Sequence, residues 1–236
     1  LDRNSKNFSV TFTPETFSYK AKNSDDGWCT FSWNRNTLTI RAAANGTNVN
    51  RSAKITVTVG QVSKTIQVNQ SRYAVGDYYN ENKIEGVVYV LKPDFHGGII
   101  SMDEGQSLAW SAETVETGAT DQNDGMANMN IIKKIPNWKT LYPAFAWCEA
   151  KNTNGVTGWY LPAKYELWTV FEGRNAIHTT LVSRGKSGLS SDSYWSSSEY
   201  TSARAWGVDF GYGGMSGNML NNNKFSACRV RAVAAF

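Results

Sequence analysis

The sequence contains few of the residues that build metal centres and hydrolase active sites. Its 236 residues include three cysteines and two histidines. The cysteines stand far apart, without the Cys-x-x-Cys spacing typical of zinc sites. A hydrolase triad needs a base close to a nucleophile and an acid, and only His96 and His178 are available as histidine bases. We therefore predict no metal, no cofactor and no catalytic residue, and a protein that is not an enzyme.

Long apolar runs and clusters of basic residues are also absent. No run approaches the roughly 20 apolar residues that span a bilayer. The net charge of +4 comes from scattered lysines and arginines, whereas nucleic-acid-binding arms carry them in blocks. The sequence therefore predicts neither a transmembrane segment nor a nucleic-acid partner. It begins with Leu1 rather than methionine, so we expect a trimmed sequence from which a targeting segment, if the protein has one, has been removed.

The acidic stretch at residues 121–125 lacks the pattern of a calcium-binding loop. An EF-hand loop needs glycine at its sixth position and glutamate at its twelfth. Counting from Asp121 gives Met126 and Ile132 at these positions. We predict an Asx-rich surface turn there instead.

Apolar and polar residues alternate with period two over the first seventy residues, which is typical of strands with one buried face. The apolar positions of this pattern are Phe8, Val10, Phe12, Phe17, Tyr19, Leu38, Ile40, Ala53, Ile55, Val57, Val59, Ile66 and Val68. Turn-forming segments at 23–27, 34–36 and 45–50 separate the runs. The pattern predicts a sandwich of short antiparallel strands, with Trp28 in its core and Cys29 as a lone buried thiol.

Several segments of this region resemble the BACON family, an immunoglobulin-like module common in bacterial surface proteins. The resemblance rests on Trp28 and on residues 50–57, 64–66 and 68–70. It implies an immunoglobulin-like sandwich at residues 1–72, with a role either in carbohydrate binding or as a spacer.

The strand pattern stops near residues 72–76, and mixed elements follow. We predict strands at 86–91, 98–102, 194–198, 205–210, 215–220 and 226–233. One helix is predicted from Trp138 through Cys148 with Pro143 in its first turn, a second after Pro162, and a short third around Ile177 and Leu181. This order predicts an α+β domain at residues 76–236, with the domain boundary between residues 71 and 80.

Three motifs of the second region resemble the C-terminal domain of the Legionella collagen-like adhesin and its relatives. They are Gly158 to Leu167, Tyr194 to Glu199 and Cys228 to Val233. The resemblance implies a C-type-lectin-like fold, which formylglycine-generating enzymes share. Relatives usually carry threonine or serine at position 163, where this chain has alanine, so Glu166 keeps half of a helix capping box. We expect the missing cap oxygen to cost the helix about 1 kcal/mol.

The resemblance also implies a disulfide between Cys148 and Cys228, because lectin-like domains commonly join their first helix to their last strand in this way. Cys29 would then remain a thiol, and the bond would imply an oxidising compartment. The kinship with formylglycine-generating enzymes leaves a less favoured alternative, an oxidase in which paired cysteines bind copper.

The combination of the two modules implies an exported protein of a Bacteroidetes-like bacterium. We expect an outer-membrane lipoprotein exposed to the exterior, with an adhesive or glycan-binding function. Its partner would be a glycan or a host or surface protein. The alternative is a structural or protein-binding subunit of a surface assembly.

Residues 194–225 combine aromatic side chains with serine, glycine and asparagine, a composition that suits carbohydrate. Aromatic rings pack against the apolar side of a pyranose, and asparagine amides both donate and accept hydrogen bonds. The predicted ligand contacts are Tyr200, Tyr212, Asn218, Asn221, Asn222 and Asn223, with Trp195 and Trp206 as secondary candidates. Arg204 and Lys224 could add contacts to an anionic glycan such as a sulfated glycosaminoglycan.

Overall fold

The computed structural model describes residues 1–13, 20–24, 27–211 and 218–236, and these form two compact units. The first unit comprises residues 1–74 with residues 91–96, and the second comprises residues 75–90 with residues 97–236. The sequence pattern did not predict that a segment as late as 91–96 belongs with the first unit. Within the described residues, no helix is both long and apolar enough to cross a bilayer.

The described residues of the first unit form two antiparallel sheets of three strands each. One sheet has the order β1-β4-β3 and the other β2-β5-β6. The strands are β1 (Lys6–Thr11), β2 (Lys20–Asn23), β3 (Cys29–Asn34), β4 (Thr37–Ala42), β5 (Arg51–Val59) and β6 (Val62–Gln70). The described residues of the period-two pattern lie in these strands, except Phe12, which directly follows β1. Phe17 and Tyr19 lie outside the described residues.

One hydrophobic core joins the two sheets of the first unit, as expected of a β-sandwich. Its buried residues are Cys29, Leu38, Ile40, Ala53, Ile55, Val57 and Val68. Trp28 packs against this core but is only partly buried, and the Arg51 guanidinium lies 4.4 Å from its ring centroid. Cys29 is fully buried as a thiol.

In the second unit, the part of the chain that the structure describes forms a four-stranded and a five-stranded sheet. Their strand orders are β15-β9-β8-β7 and β10-β14-β11-β12-β13, and β11 runs parallel to β14 while the other neighbours are antiparallel. The strands are β7 (Tyr78–Glu81), β8 (Ile84–Leu91), β9 (Gly97–Ile100), β10 (Gly105–Leu108), β11 (Ser193–Thr201), β12 (Arg204–Asp209), β13 (Asn218–Asn223), β14 (Cys228–Val230) and β15 (Val233–Ala235).

Five short helices accompany these sheets in the described part of the second unit. They are α1 (Gly125–Ile132), α2 (Trp138–Leu141), α3 (Pro143–Glu149), α4 (Lys164–Glu172) and α5 (Arg174–Ser183). The helix predicted from Trp138 through Cys148 is therefore two helices. The break is at Tyr142, whose φ of −127° and ψ of 73° are not helical. Proline disfavours helical geometry at the residue before it, and Pro143 follows Tyr142 directly.

Helix α1 begins where the sequence predicted only a turn. The turn itself is present, because the Asp121 carboxylate accepts hydrogen bonds from the backbone N–H groups of Asn123 and Asp124. Asp124 then caps α1 by accepting from the N–H of Ala127 at 2.9 Å. Overall, the described chain is mostly β-sheet with few helices.

Candidate functional site

Strands β12 and β13 present a mixed aromatic and cationic surface on one side of the five-stranded sheet. Arg204 pairs with Asn223 and Trp206 with Asn221, and paired residues point to the same side of a sheet. Tyr200 from β11 and the first two residues of α4, Lys164 and Tyr165, adjoin them. We call the group Tyr165, Tyr200, Trp206, Lys164, Arg204 and Asn221 the aromatic face.

Trp206 organises the rings of the aromatic face. Its ring centroid lies 4.9 Å from that of Tyr200, with the planes 65° apart in an edge-to-face arrangement. The Lys164 ammonium lies 3.7 Å from the Trp206 centroid and 5.1 Å from that of Tyr165. Lysine covers the Trp206 ring, whereas Tyr200 is 51% exposed and Tyr165 is 43% exposed. The two tyrosines are therefore the rings available to a ligand.

Helix α4 is held in place by groups distant in sequence, and this positions Lys164 and Tyr165. The N–H of Lys164 donates to the Ser198 hydroxyl of β11 at 3.0 Å, and the N–H of Tyr165 donates to the Gln122 carbonyl at 2.9 Å. The half capping box is also present, because Glu166 accepts from the N–H of Ala163 at 2.8 Å. Ser198 and Gln122 thus satisfy two of the N-terminal N–H groups of α4, which have no partner within the helix.

The two cations of the aromatic face have no carboxylate partner among the described residues. Lys164 is only 8% exposed, and its ammonium donates to the Gln122 side-chain oxygen at 3.4 Å. Arg204 is exposed and donates to Asn221, to the side-chain oxygen at 2.9 Å and to the carbonyl at 3.3 Å. The face therefore carries two positive charges that form no ion pair with a carboxylate of the described residues.

Two predicted ligand residues, Trp195 and Lys224, are buried in the structure. Trp195 is fully buried, and its indole N–H donates to the Leu108 carbonyl at 2.8 Å. The Lys224 ammonium forms an ion pair with Glu199, donates to the Val115 carbonyl at 2.8 Å and lies 4.6 Å from the Trp110 ring centroid. This burial disagrees with the prediction that they contact a ligand. Trp195 belongs to the stretch of β11 from Tyr194 to Glu199 that is buried on both faces, and Lys224 lies in the turn after β13.

The predicted asparagines do not form a single surface. Asn221 and Asn223 share the side of Trp206, whereas Asn218 and Asn222 alternate to the opposite side of β13. Asn222 approaches the Cys228 sulfur there, with 3.7 Å between its side-chain nitrogen and the sulfur. Tyr212, another predicted contact, lies outside the described residues.

The predicted disulfide between Cys148 and Cys228 is wrong in this structure, since both are free thiols. Helix α3 packs against β14, so the predicted elements do adjoin. Cys228 instead lines a surface cleft together with Asn222, whereas Cys148 is completely buried. Burial raises the pKa of both thiols.

Sequence reasoning missed Lys164, Tyr165 and Gln122 as parts of this surface. The first two belong to a motif that pointed to a family, but nothing in its periodicity indicates that they meet β12. The described residues contain no group of three or more histidine, cysteine, aspartate or glutamate side chains placed to hold a metal ion.

Two family models match the chain. The model of the Lcl C-terminal domain matches residues 100–234, and that of BACON, described as an N-terminal domain, matches residues 17–71. Both resemblances inferred from the sequence motifs are therefore confirmed. No curated protein matches the sequence.

The fold is similar to that of a solved structure, the crystal structure of a fimbrial protein from Bacteroides ovatus ATCC 8483, with a TM-score of 0.54 and 14% sequence identity. The similarity covers 97% of this chain, which spans 65% of the length of that protein. At this identity the likeness concerns the fold alone. Because the Lcl match covers more than half of its residues, the chain belongs to the Lcl C-terminal domain family and carries a BACON domain ahead of that match.

Proposed function

We propose that this protein is a non-enzymatic, adhesin-like binding protein of the bacterial cell surface, and that the aromatic face binds carbohydrate. One observation carries this proposal. Two exposed tyrosine rings stand beside two cations that lack a carboxylate partner among the described residues.

The chemistry of the aromatic face matches that of a saccharide. The rings of Tyr165 and Tyr200 are large, rigid and half exposed, so they can pack against the C–H side of a pyranose at little entropic cost. Asn223 is exposed beside Arg204 and supplies an amide that both donates and accepts. Lys164 and Arg204 favour a ligand with negative charge, so an anionic glycan suits the surface better than a neutral one.

The family matches and the fold likeness support a location at the cell surface. The similar structure is that of a fimbrial protein, and an exported, exposed protein fits both this likeness and the BACON domain. We include in the proposal an outer-membrane lipoprotein anchor and a C-type-lectin-like fold for the second unit. Its short helices and its five-stranded sheet of hairpins suit such a fold.

The cysteines favour a binding protein over a copper-dependent oxidase. Copper binds the thiolate form of cysteine, and burial disfavours this form at both Cys148 and Cys228. The two thiols also differ in setting, since one is completely buried and the other lines a cleft.

A second candidate function is that of a structural or protein-binding subunit in a surface assembly. The likeness to a fimbrial protein favours it. A protein partner would use the same exposed tyrosines, so the two functions differ in ligand rather than in surface.

A glycan array comparing the native protein with Tyr200→Ala and Arg204→Gln tests the proposal. We expect binding to glycans that carry carboxylate or sulfate groups, weakened about tenfold or more by Tyr200→Ala because an anchoring ring is lost. Arg204→Gln should weaken binding and reduce its dependence on salt.

Val182→Ala provides the matched control, since Val182 is 52% exposed on α5 and lies outside the aromatic face. Its binding should equal that of the native protein. If Tyr200→Ala binds as well as the native protein, the aromatic face is not the site. If no glycan binds, the assembly subunit becomes the better hypothesis.

A further inference from the structure

A cleft of about 440 Å³ lies on the other side of the second unit's five-stranded sheet from the aromatic face. Its volume falls within the range of about 300–1,000 Å³ that is usual for ligand pockets. It is lined chiefly by small hydroxyl and amide side chains together with one thiol. Six of the lining residues are Gln106, Ser107, Ser193, Asn222, Ser226 and Cys228.

An irregularity of strand β10 shapes one wall of the cleft. The pairing of β10 with β14 changes register between Gly105 and Leu108, so Gln106 and Ser107 stand outside the regular ladder. Ser107 adopts a φ of 55°, which is uncommon for a residue other than glycine. Such bulges and strained residues concentrate at functional sites, where they direct side chains that a regular strand would point elsewhere.

The charged residues of the cleft neutralise each other. The Arg229 guanidinium donates from Nε to the Asp192 carboxylate at 2.6 Å and from Nη1 to the Glu104 carboxylate at 2.6 Å. Asp192 and Arg229 are both lining residues and together carry no net charge. A ligand that is itself an ion would find no unbalanced opposite charge here.

The hydrogen-bonding groups of the cleft are mostly uncommitted. Within the described part of the chain, the side chains of Gln106, Ser107, Ser193 and Ser226 form no hydrogen bond. Hydroxyl and amide groups both donate and accept, so they complement a ligand whose own groups do both. We propose that this cleft is a second binding site, separate from the aromatic face, and that it takes a small neutral ligand rich in hydroxyl groups, such as a monosaccharide unit.

Cys228 makes the occupancy of the cleft measurable. It is 7% exposed and lines the cleft, whereas Cys29 and Cys148 are completely buried. N-ethylmaleimide should therefore modify Cys228 of the native protein first, at a mildly alkaline pH because burial raises the pKa of its thiol. Intact-mass spectrometry gives the rate, and Cys228→Ser should abolish this first modification.

The test is the modification rate in glucose, galactose, mannose or N-acetylglucosamine, with acetate and phosphate for comparison. At least one sugar should slow the reaction by the factor 1 + [L]/Kd, about tenfold when its concentration is nine times Kd. The same sugar should bind Cys228→Ser in calorimetry, because the thiol is only a reporter. The double variant Gln106→Ala, Ser226→Ala should lose this protection, whereas Tyr200→Ala should keep it.

Several results would overturn the second site. They are the absence of protection by every sugar, protection by the anions alone, and an unchanged first modification in Cys228→Ser. Loss of protection in Tyr200→Ala would assign the sugar to the aromatic face instead. Because the two sites share no residue, failure of this proposal leaves the proposed function of the aromatic face standing.

Discussion

Lys224 and Glu199 form a buried ion pair that fastens a long loop to the second unit's five-stranded sheet. Their side chains are 1% and 3% exposed. Glu199 also accepts from the N–H groups of Thr117 and Gly118, and Lys224 donates to the Val115 carbonyl. Each charge is therefore satisfied by several partners, which is the condition under which a buried pair is tolerated.

Removing one member of this pair should be strongly destabilising. We expect Lys224→Met to lower the free energy of unfolding by about 3–5 kcal/mol, because it leaves Glu199 charged and buried without its partner. Chemical denaturation measures the change. Lys6→Met is the matched control, since the Lys6 side chain is 50% exposed in its ion pair with Asp2, and should cost about 0–1 kcal/mol. Equal losses of unfolding free energy in the two variants would show that the buried pair stabilises the protein no more than the exposed pair does.

Glu166 gives the second unit a defined response to pH. Desolvation by burial raises the pKa of its carboxyl group above the ordinary value, against hydrogen bonds from Ala163, Tyr160 and Gly125 that lower it. Between the ordinary and the raised pKa, the folded state holds more protons than the unfolded state. The Glu166 contribution to the free energy of unfolding therefore falls as the pH rises through this window.

Glu166→Gln should remove this contribution. We expect the native protein to lose stability relative to the variant as the pH rises from below the ordinary glutamate pKa to above the raised one. Urea unfolding midpoints across this range measure the difference. Glu116→Gln, at an exposed position, controls for the loss of one carboxylate. A constant difference between native protein and Glu166→Gln at every pH would contradict the expectation.

The N–H groups at the start of helix α4 take their hydrogen-bond partners from other elements. Its first N–H groups bond to Ser198 on β11 and to the Gln122 carbonyl, and Ser198 in turn donates to the Asp121 carbonyl at 2.6 Å. The serine thus connects the helix, the strand and the loop before α1. The position of the aromatic face follows from this connection, because Lys164 and Tyr165 form the first turn of α4.

Ser198→Ala should destabilise the protein by about 1–2 kcal/mol, which is the usual cost of losing a cap or leaving buried polar groups unsatisfied. It should also weaken ligand binding at the aromatic face, because the start of α4 loses an anchor. Denaturation and glycan binding measure the two effects. Ser183→Ala, at an exposed serine that bonds only within α5, should change stability by less than about 0.5 kcal/mol. Equal effects of the two variants would refute the capping role of Ser198.

Sequence patterns predict an element well where local periodicity determines its structure. They predict it poorly where contacts between residues distant in sequence determine it. The strands β4 and β5 follow from alternation, with Leu38 and Ile40 buried as the pattern requires. The direction of Lys224 and the capping of α4 by Ser198 depend on groups far away in sequence, which no periodicity reveals. The break at Tyr142 could have been predicted from Pro143, which follows it. The helical spacing instead indicates one longer helix with this proline in its first turn, so it does not predict the break.

At the scale of the whole molecule, the junction between the units remains a prediction open to test. Residues 71–80 follow β6, the last strand of the first unit, and include the first residues of β7. Val75 in this stretch is 38% exposed. Limited digestion with a protease of broad specificity should cut the native protein between residues 71 and 80, because this stretch joins the two units and includes the exposed Val75. Mass spectrometry locates the cut. Stable fragments that divide near residue 120 would show that the two-domain organisation is wrong.

The last two strands, β14 and β15, each complete one sheet of the second unit, so these sheets can form in full only at the end of biosynthesis. Strand β14 lies between β10 and β11, and β15 pairs with β9. Ile100 of β9 therefore has no partner in β15 until Val233 has been synthesised. The six strands described in the first unit, by contrast, lie within residues 6–70, so they are available early in translation. Until the ribosome has delivered residues 228–235, the second unit carries unpaired strand edges, which are prone to aggregation. We expect a holding chaperone to reduce aggregation of this nascent chain until its synthesis is finished.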